Sequence, residues 1–400
     1  MECPLRQAAL DTPNLTALKD RHQSFTFKEL DELVNTIRFD SPRCILIEPP
    51  SISAILKLFA ALRQNIPFCP LNLRLPSIQI EKQIQQLAQA PFAQVLLFTS
   101  GSTATPKLAR LSLSHFLSNA RALIPTVNLA PEDGWLLSLP LYHVGGLSIV
   151  FRCILARAQI ILNPTDLNIT HISNVPTQLY RSWPIHPKLK CILLGGAPIY
   201  ATEPMLPIIV TYGLTEMSSA VLAQKPKWKN GRLYFGHPLP GHEIKLENRE
   251  IFVRGASLFH GYANEKNQPF TKTPKTHLQD QWFATKDLAS FDAELGYSII
   301  GRKDNLFISG GENIQPEEIE QILLENPDVL EAVVVPKSDP QFGTRPVAFL
   351  RTVHSINEKH LQITLQQYLP KYKIPIEFHP LEQTGFKADR KVLINSLLKI

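Results

Sequence analysis

Between residues 44 and 211 short apolar runs alternate with stretches whose apolar residues fall at helical spacing, and this alternation limits the fold more than any other feature of the chain. The run Cys44-Ile45-Leu46-Ile47-Glu48 reads as a buried strand, and Ile55, Leu56, Phe59 and Leu62 predict a helix over 53–63. A second helix is expected over 77–88 on Ile80, Ile84 and Leu87, a strand over 94–98, and a helix around 114–123. Strand-like runs recur at 135–139, 159–162, 190–194 and 207–211. Such a sequence is expected to form an α/β fold, layered sheets with largely parallel strands.

Beyond about residue 222 the pattern changes. The pairs 243–246 with 250–254 and 288–291 with 297–301 flank turn residues and read as β-hairpins, a small β-subdomain. Gln315-Pro316-Glu317-Glu318 opens a helix with acid in its first turn, where the dipole favours it. Strands over 329–336 and 347–351 and helices over 358–369 and 391–398 complete a small α+β domain, entered through a polar, glycine-bearing stretch at 301–311. The expected division is a large domain of residues 1–303 and a small one of residues 304–400.

Composition narrows the classes. The net charge of +6 is spread without blocks of one sign, so no nucleic-acid surface is expected. No apolar run is long enough to insert in a membrane, and the first residues lack a basic-then-apolar leader pattern. Cys3, Cys44, Cys69, Cys153 and Cys191 are odd in number, far apart and set in apolar surroundings, with no metal-ligand spacing. Free thiols in a reducing compartment follow, and a cytoplasmic location is expected.

One stretch carries chemistry on its face. Phe98-Thr99-Ser100-Gly101-Ser102-Thr103-Ala104-Thr105-Pro106-Lys107 takes an apolar strand into hydroxyl residues, a glycine and a lysine. Small residues let backbone approach an anion, N–H and O–H groups donate to it, and the ammonium adds charge. It is not a Walker A loop, because Pro106 and Leu108 replace the second glycine and the Ser/Thr of that motif.

This loop is followed by Tyr212-Gly213-Leu214-Thr215-Glu216, Asp287, Gly301-Arg302-Lys303-Asp304, and Gly385-Phe386-Lys387-Ala388-Asp389-Arg390. In order and spacing they resemble the acyl-adenylate-forming superfamily of acyl-CoA synthetases, adenylation domains and luciferases. Two further stretches, 139–147 around His143 and 175–179 around Thr177, the latter followed by 194–199 around Gly195, resemble the 2-succinylbenzoate–CoA ligases of menaquinone biosynthesis. The resemblance implies ATP, Mg²⁺ and CoA, a small-molecule carboxylic acid as substrate, and a small domain that swings about a hinge near Asp304.

It also implies roles. Thr99, Ser100, Gly101, Ser102, Thr103 and Lys107 match the triphosphate loop, where Ala104 replaces a usual glycine. Glu216 matches the metal-binding acid, and Thr215 a phosphate contact. Tyr212, Gly213, Gly195, Gly196 and Ala197 match the adenine pocket; the last three equally suit a plain turn after a strand. Asp287 matches the ribose acid and Arg302 its basic partner; Thr285-Lys286-Asp287 stands where Thr-Gly-Asp is usual, with Lys286 replacing the glycine. Lys387 matches the catalytic lysine of the first half-reaction, displaced from its usual glycine by Phe386 but keeping the interval to Arg390. His143 fits either a substrate-pocket residue or a core histidine bonded to backbone. Thr177 and Gln178 line the acyl pocket or cap a helix, and Gly310 and Gly311 face the pantetheine arm or are turn glycines. Three functions remain open: the 2-succinylbenzoate ligase, an enzyme of the same chemistry on another acid or a carrier-protein thiol, and a nucleotide-binding protein without turnover.

Overall fold

The computed structural model describes residues 3–99, 106–179, 186–197, 199, 205–263, 281–354, 357–381 and 390–397. They pack into two compact units. The first comprises Met1–Lys245, Phe252–Thr285 and Asp292–Tyr297, and the second Leu246–Ile251, Lys286–Phe291 and Ser298–Ile400. The division expected from sequence is 1–303 and 304–400; grouping by packing assigns parts of both hairpins to the second unit.

The first unit holds the layered α/β architecture. One sheet runs, in spatial order, Ser219–Gln224, Ile208–Leu214, Cys191–Gly195, Ile169–Asn174, Gly134–Leu136, Gln159–Ile161, Thr16–Lys19 and Ser24–Thr26. Its interior pairs are parallel and its two edge pairs antiparallel. A second sheet joins Cys44–Leu46, Phe68–Pro70 and Val95–Thr99 in parallel, with Lys107–Leu111 antiparallel at its edge. Phe59 from the helix Ile52–Arg63, Phe116 from Leu113–Val127 and Phe151 from Val144–Ala156 meet in one aromatic cluster. Ring centroids lie 4.8 Å apart for Phe116 and Phe151 and 6.3 Å for Phe59 and Phe151. Each ring is fully buried, and such burial is worth about 2–3 kcal/mol per side chain.

The strand Lys107–Leu111 corrects the expectation of a strand followed directly by a loop and a helix. Thr99 pairs with Lys107 across the antiparallel ladder, so the two strands that flank the phosphate-type stretch run side by side. The far edge of that strand is also used: Arg110 N donates to Gly261 O, His260 N to Arg110 O, and Ala263 N to Leu108 O. Its hydrogen bonds therefore go to partners distant in sequence, which local periodicity does not register.

In the second unit the strands Val329–Asp339 and Gly343–Thr352 form a long antiparallel hairpin, extended in parallel by Phe378–Pro380. Period-two alternation makes both faces apolar. Val334 and Ala348 join Ile319, Leu323, Leu361 and Leu365 on one side, whereas Val333, Val335, Val347 and Phe349 meet Leu381 and Leu397 on the other. The stretch 301–311, read from sequence as a polar, glycine-bearing linker, carries regular structure. The chain leaves a strand at Arg302, makes a 3₁₀ turn over Lys303–Asn305, and enters a small hairpin of Phe307–Ser309 and Glu312–Ile314.

Candidate active site

In the first unit the site is built around the turn at Glu216. The strand Ile208–Leu214 ends in a 3₁₀ turn, Thr215–Met217, and the chain returns as Ser219–Gln224. Gly213 is required there, since a Cβ would stand 2.2 Å from Ser219 O. The turn is pinned from three directions. Asn119 Nδ2 donates to Met217 O at 3.1 Å and Ala220 O at 2.7 Å; Ser148 Oγ donates to Ser218 O at 3.0 Å; Phe259 N donates to Glu216 O at 2.8 Å. The Glu216 carboxylate is thus presented on rigid backbone. Tyr262 donates its hydroxyl to Glu216 Oε1 at 2.5 Å, and its ring lies under the Lys107 ammonium, 4.7 Å from Nζ to centroid.

Lys107, Tyr262 and Glu216 therefore form one connected group, of which the sequence reading named only the two ends. Tyr262 is 46 residues from Glu216 and is brought in by the pairing of 260–263 with Lys107–Leu111. Its only sequence signal is an aromatic after a glycine. Thr99 donates Oγ1 to Lys107 O at 3.4 Å at the base of the loop. Ser100, Gly101, Ser102 and Thr103, with Ala104, lie outside the described residues.

Gly195 and Gly196 end the strand next to this turn. A Cβ on Gly195 would stand 2.6 Å from Thr211, its partner in the parallel ladder, and Gly196 has φ +76°. Ala197 follows, half-buried, and Tyr212 is half-buried on the adjoining strand. The tight turn is real, and it leaves backbone bare beside Tyr212 and Gly213.

His143 is the N-cap residue of the helix Val144–Ala156 and offers no side-chain cap. Its backbone fixes the entry: His143 N donates to Pro140 O, and Gly146 N to His143 O. Gly146 admits no side chain, as a Cβ would meet Pro140 O at 2.2 Å. His143 is exposed by residue area, yet desolvation by the protein around it, with the Arg74 guanidinium second, lowers its pKa, which favours the neutral ring. Two turns along the same helix lies Arg152, 1% exposed. Its Nη2 donates to Ser219 Oγ at 2.8 Å, its guanidinium carbon is 5.3 Å from the Trp135 ring centroid, and its Nε has no hydrogen-bond partner. Among the described residues no carboxylate pairs with it, and burial pushes its pKa down to about 10. Sequence reading passed over it; the signal was a single charge inside the apolar run Val144–Ala156.

Gln178 accepts from Val175 N at 3.0 Å through Oε1, closing the short helix Pro176–Leu179. That is the capping alternative for Gln178; the side chain of Thr177 lies outside the described residues.

The second unit carries the remaining residues. Arg302 donates to Asp287 Oδ1 at 2.9 Å and lies 3.7 Å from Asp304, so acid and basic partner do meet. Gly310 has φ +56° and donates to Phe342 O at 2.9 Å; Gly311 has φ +87° and open space where a Cβ would be. Lys387 lies outside the described residues. Arg390 is held by two bonds to Glu320, at 2.7 and 2.9 Å, one to Glu317 and one to Val334 O.

Among the described residues no cluster of three or more His, Cys, Asp or Glu could cage a metal. One rigidly presented carboxylate still fits a magnesium ion that takes most of its oxygens from nucleotide phosphates and water. None of the described helices is long and apolar enough to cross a membrane.

A phosphate-type stretch between paired strands, a pinned acid and an Asp–Arg pair in this order define an adenylate-forming enzyme. Residues 89–263 match the model of the AMP-binding enzyme family and residues 318–385 that of the AMP-binding enzyme C-terminal domain. The chain belongs to this family. Within it, the chain groups with the 2-succinylbenzoate–CoA ligases. It is 38% identical to that of Haemophilus influenzae over 84% of this chain and 77% of the relative, and 35% identical to that of Escherichia coli over 74% and 68%. Among solved structures, an Arg-to-Lys variant of E. coli MenE with bound OSB-AMS is 28% identical with a TM-score of 0.83, covering 99% of this chain and 98% of that one. Bacillus subtilis MenE in complex with ATP and magnesium ion is 25% identical with a TM-score of 0.83, covering 100% and 99%.

Proposed function

We infer that the protein joins 2-succinylbenzoate to CoA, with ATP cleaved to AMP and pyrophosphate, through an acyl-adenylate, as a step of menaquinone biosynthesis. The observation that carries the substrate is Arg152. A fully buried guanidinium with no carboxylate partner among the described residues asks for an anion. 2-Succinylbenzoate brings two carboxylates, one to be activated and one aromatic that stays charged. Arg152 lies on the helix that His143 begins, as a cation for the second would.

In the first half-reaction a carboxylate oxygen of the succinyl arm bonds to the α-phosphorus of ATP while the bond to the bridging oxygen breaks and pyrophosphate leaves. The carboxylate is ionised at neutral pH, so no general base is needed and neutral His143 serves as a hydrogen-bonding wall. Thr99, Ser100, Gly101, Ser102, Thr103 and Lys107 would grip the β- and γ-phosphates. Tyr212, Gly213, Gly195, Gly196 and Ala197 would enclose adenine, and Thr215 would reach the α-phosphate. Asp287, oriented by Arg302, would take the ribose hydroxyls. Glu216, steadied by Tyr262, would hold Mg²⁺, which when bound screens the phosphate charge. Lys387 would bridge the carboxylate and phosphate oxygens, where charge builds up. In the second half-reaction the CoA thiol gives up its proton to solvent, its sulfur bonds to the carbonyl carbon, and AMP leaves with the pair of the broken acyl–oxygen bond. Gly310 and Gly311 would let backbone lie against the pantetheine arm after the small domain turns about Asp304. Dependence on ATP and CoA supports a cytoplasmic location for the reaction.

Pyrophosphate exchange into ATP tests this reading. Exchange that depends on 2-succinylbenzoate and Mg²⁺ supports it. Exchange only with other acids would transfer the chemistry to another substrate, and nucleotide binding without exchange for any acid would leave a protein without turnover.

A further inference from the structure

Lys286 stands where the family pattern Thr-Gly-Asp has glycine, and its backbone kept the glycine conformation: φ is +64°, in the left-handed region that L side chains rarely adopt. A residue held there needs a contact that compensates. The Lys286 side chain supplies one, with Nζ 3.3 Å from both carboxylate oxygens of Asp304. Asp304 is the middle residue of the 3₁₀ turn Lys303–Asn305, whose neighbours are already tied. Lys303 pairs with Glu250 at 2.6 Å, Asn305 donates to Glu317 at 2.5 Å, and Arg302 bonds Asp287 at 2.9 Å while standing 3.7 Å from Asp304. Asp287, Arg302, Asp304 and Lys286 thus alternate in sign around one turn. Lys286 Nζ stands nearer to Asp304, at 3.3 Å, than the Arg302 guanidinium at 3.7 Å.

We propose that Lys286 is a positioning residue for the hinge: its ammonium clamps Asp304 and so sets the balance between the adenylating and thioester-forming half-reactions. The inference rests on the proposed function, in which the small domain turns about Asp304. The pair is partly exposed, 53% for Lys286 and 27% for Asp304. Its influence is therefore about two- to fivefold and weakens with salt.

The test compares Lys286→Met, which keeps the backbone position occupied and removes the charge, with Lys286→Arg, which restores charge, and Lys286→Gly, which removes charge and backbone strain together. Two rates are read: pyrophosphate exchange with 2-succinylbenzoate, and thioester formation from supplied 2-succinylbenzoyl-adenylate. Lys286→Met and Lys286→Gly are expected to shift the ratio of these rates by about two- to fivefold, with KM for ATP held within about twofold. Lys286→Arg restores the ratio, high salt moves the native ratio toward that of Lys286→Met, and Lys286→Gly melts above Lys286→Met. Hydrogen exchange at the Leu306 amide, which closes the turn on Lys303 O at 3.3 Å, is expected to quicken in Lys286→Met. An unchanged ratio, an equal fall of both rates, a rise in KM for ATP alone, or an unchanged Leu306 amide overturns the proposal. Absence of exchange in the native protein would count against the substrate reading, while the Leu306 amide would still decide the clamp.

Discussion

Replacing Arg152 by Met sets stability against substrate recognition. Burial lowers the Arg152 pKa from 12.5 to about 10, a difference worth about 3 kcal/mol against the charged form in the fold. The group remains charged at pH 7, so the folded state carries that penalty throughout the physiological range. Two contacts offset part of it: the bond to Ser219 Oγ and the Trp135 ring face, worth about 1 kcal/mol each. Arg152→Met keeps the stem's packing and removes charge, penalty and contacts together. Its unfolding free energy, from urea melts, is expected to equal the native value or exceed it by up to about 2 kcal/mol. Recognition moves the other way. A desolvated guanidinium–carboxylate pair lost from the complex costs about 3 kcal/mol, so KM for 2-succinylbenzoate is expected to rise about 100-fold. 4-Oxo-4-phenylbutanoate, which keeps the reacting arm and lacks the aromatic carboxylate, is expected to react no worse with the variant than with the native enzyme. A variant destabilised by more than about 2 kcal/mol, with KM for 2-succinylbenzoate unchanged, would make Arg152 a structural cation and refute the reasoning.

Lys387→Ala is expected to reduce pyrophosphate exchange by about 100-fold or more while thioester formation from supplied adenylate survives; the reverse pattern would exclude the assigned role. Tyr262→Phe keeps the ring under Lys107 and removes the bond to Glu216, so KM for MgATP is expected to rise about tenfold, read by exchange at varied nucleotide. His115, 1% exposed beside His260, has its pKa pushed down to about 3 by burial. The unfolded chain takes up that proton below about pH 6.5 and the folded chain does not, so stability falls as pH drops from there toward 3, by at most about 1.4 kcal/mol per unit. Urea melts of His115→Gln, which keeps an acceptor for Ser112 N, are expected to show a flatter acid limb.

What the sequence disclosed was what repeats locally. The helix Ile52–Arg63 and the strands Val95–Thr99 and Cys191–Gly195 fall within a residue or two of their expected bounds, because each buries a face that its own spacing defines. Lys107–Leu111 escaped notice because its partners are Thr99 on one side and residues 260–263 on the other. Tyr262 escaped for the same reason. Arg152 was hidden by its surroundings, since an arginine amid Val144–Ala156 looks like an interruption of an apolar helix until the helix is seen buried all round. The Asp287–Arg302 pairing was legible, because one hairpin joins the two residues.

The grip on Arg390 bears on the extra residue Phe386. Glu320, almost fully buried, and the carbonyl of Val334 fix Arg390 as a bollard fixes a rope, and Lys387 lies three residues upstream along the chain. The ammonium's mooring line is then at most about 10 Å of backbone, measured back from Arg390. A residue added on the Gly385 side leaves the three-residue interval from Lys387 to Arg390 unchanged. Lineages could therefore lengthen or shorten the approach to this lysine without retuning its reach, whereas a single deletion between Lys387 and Arg390 would cut the line short.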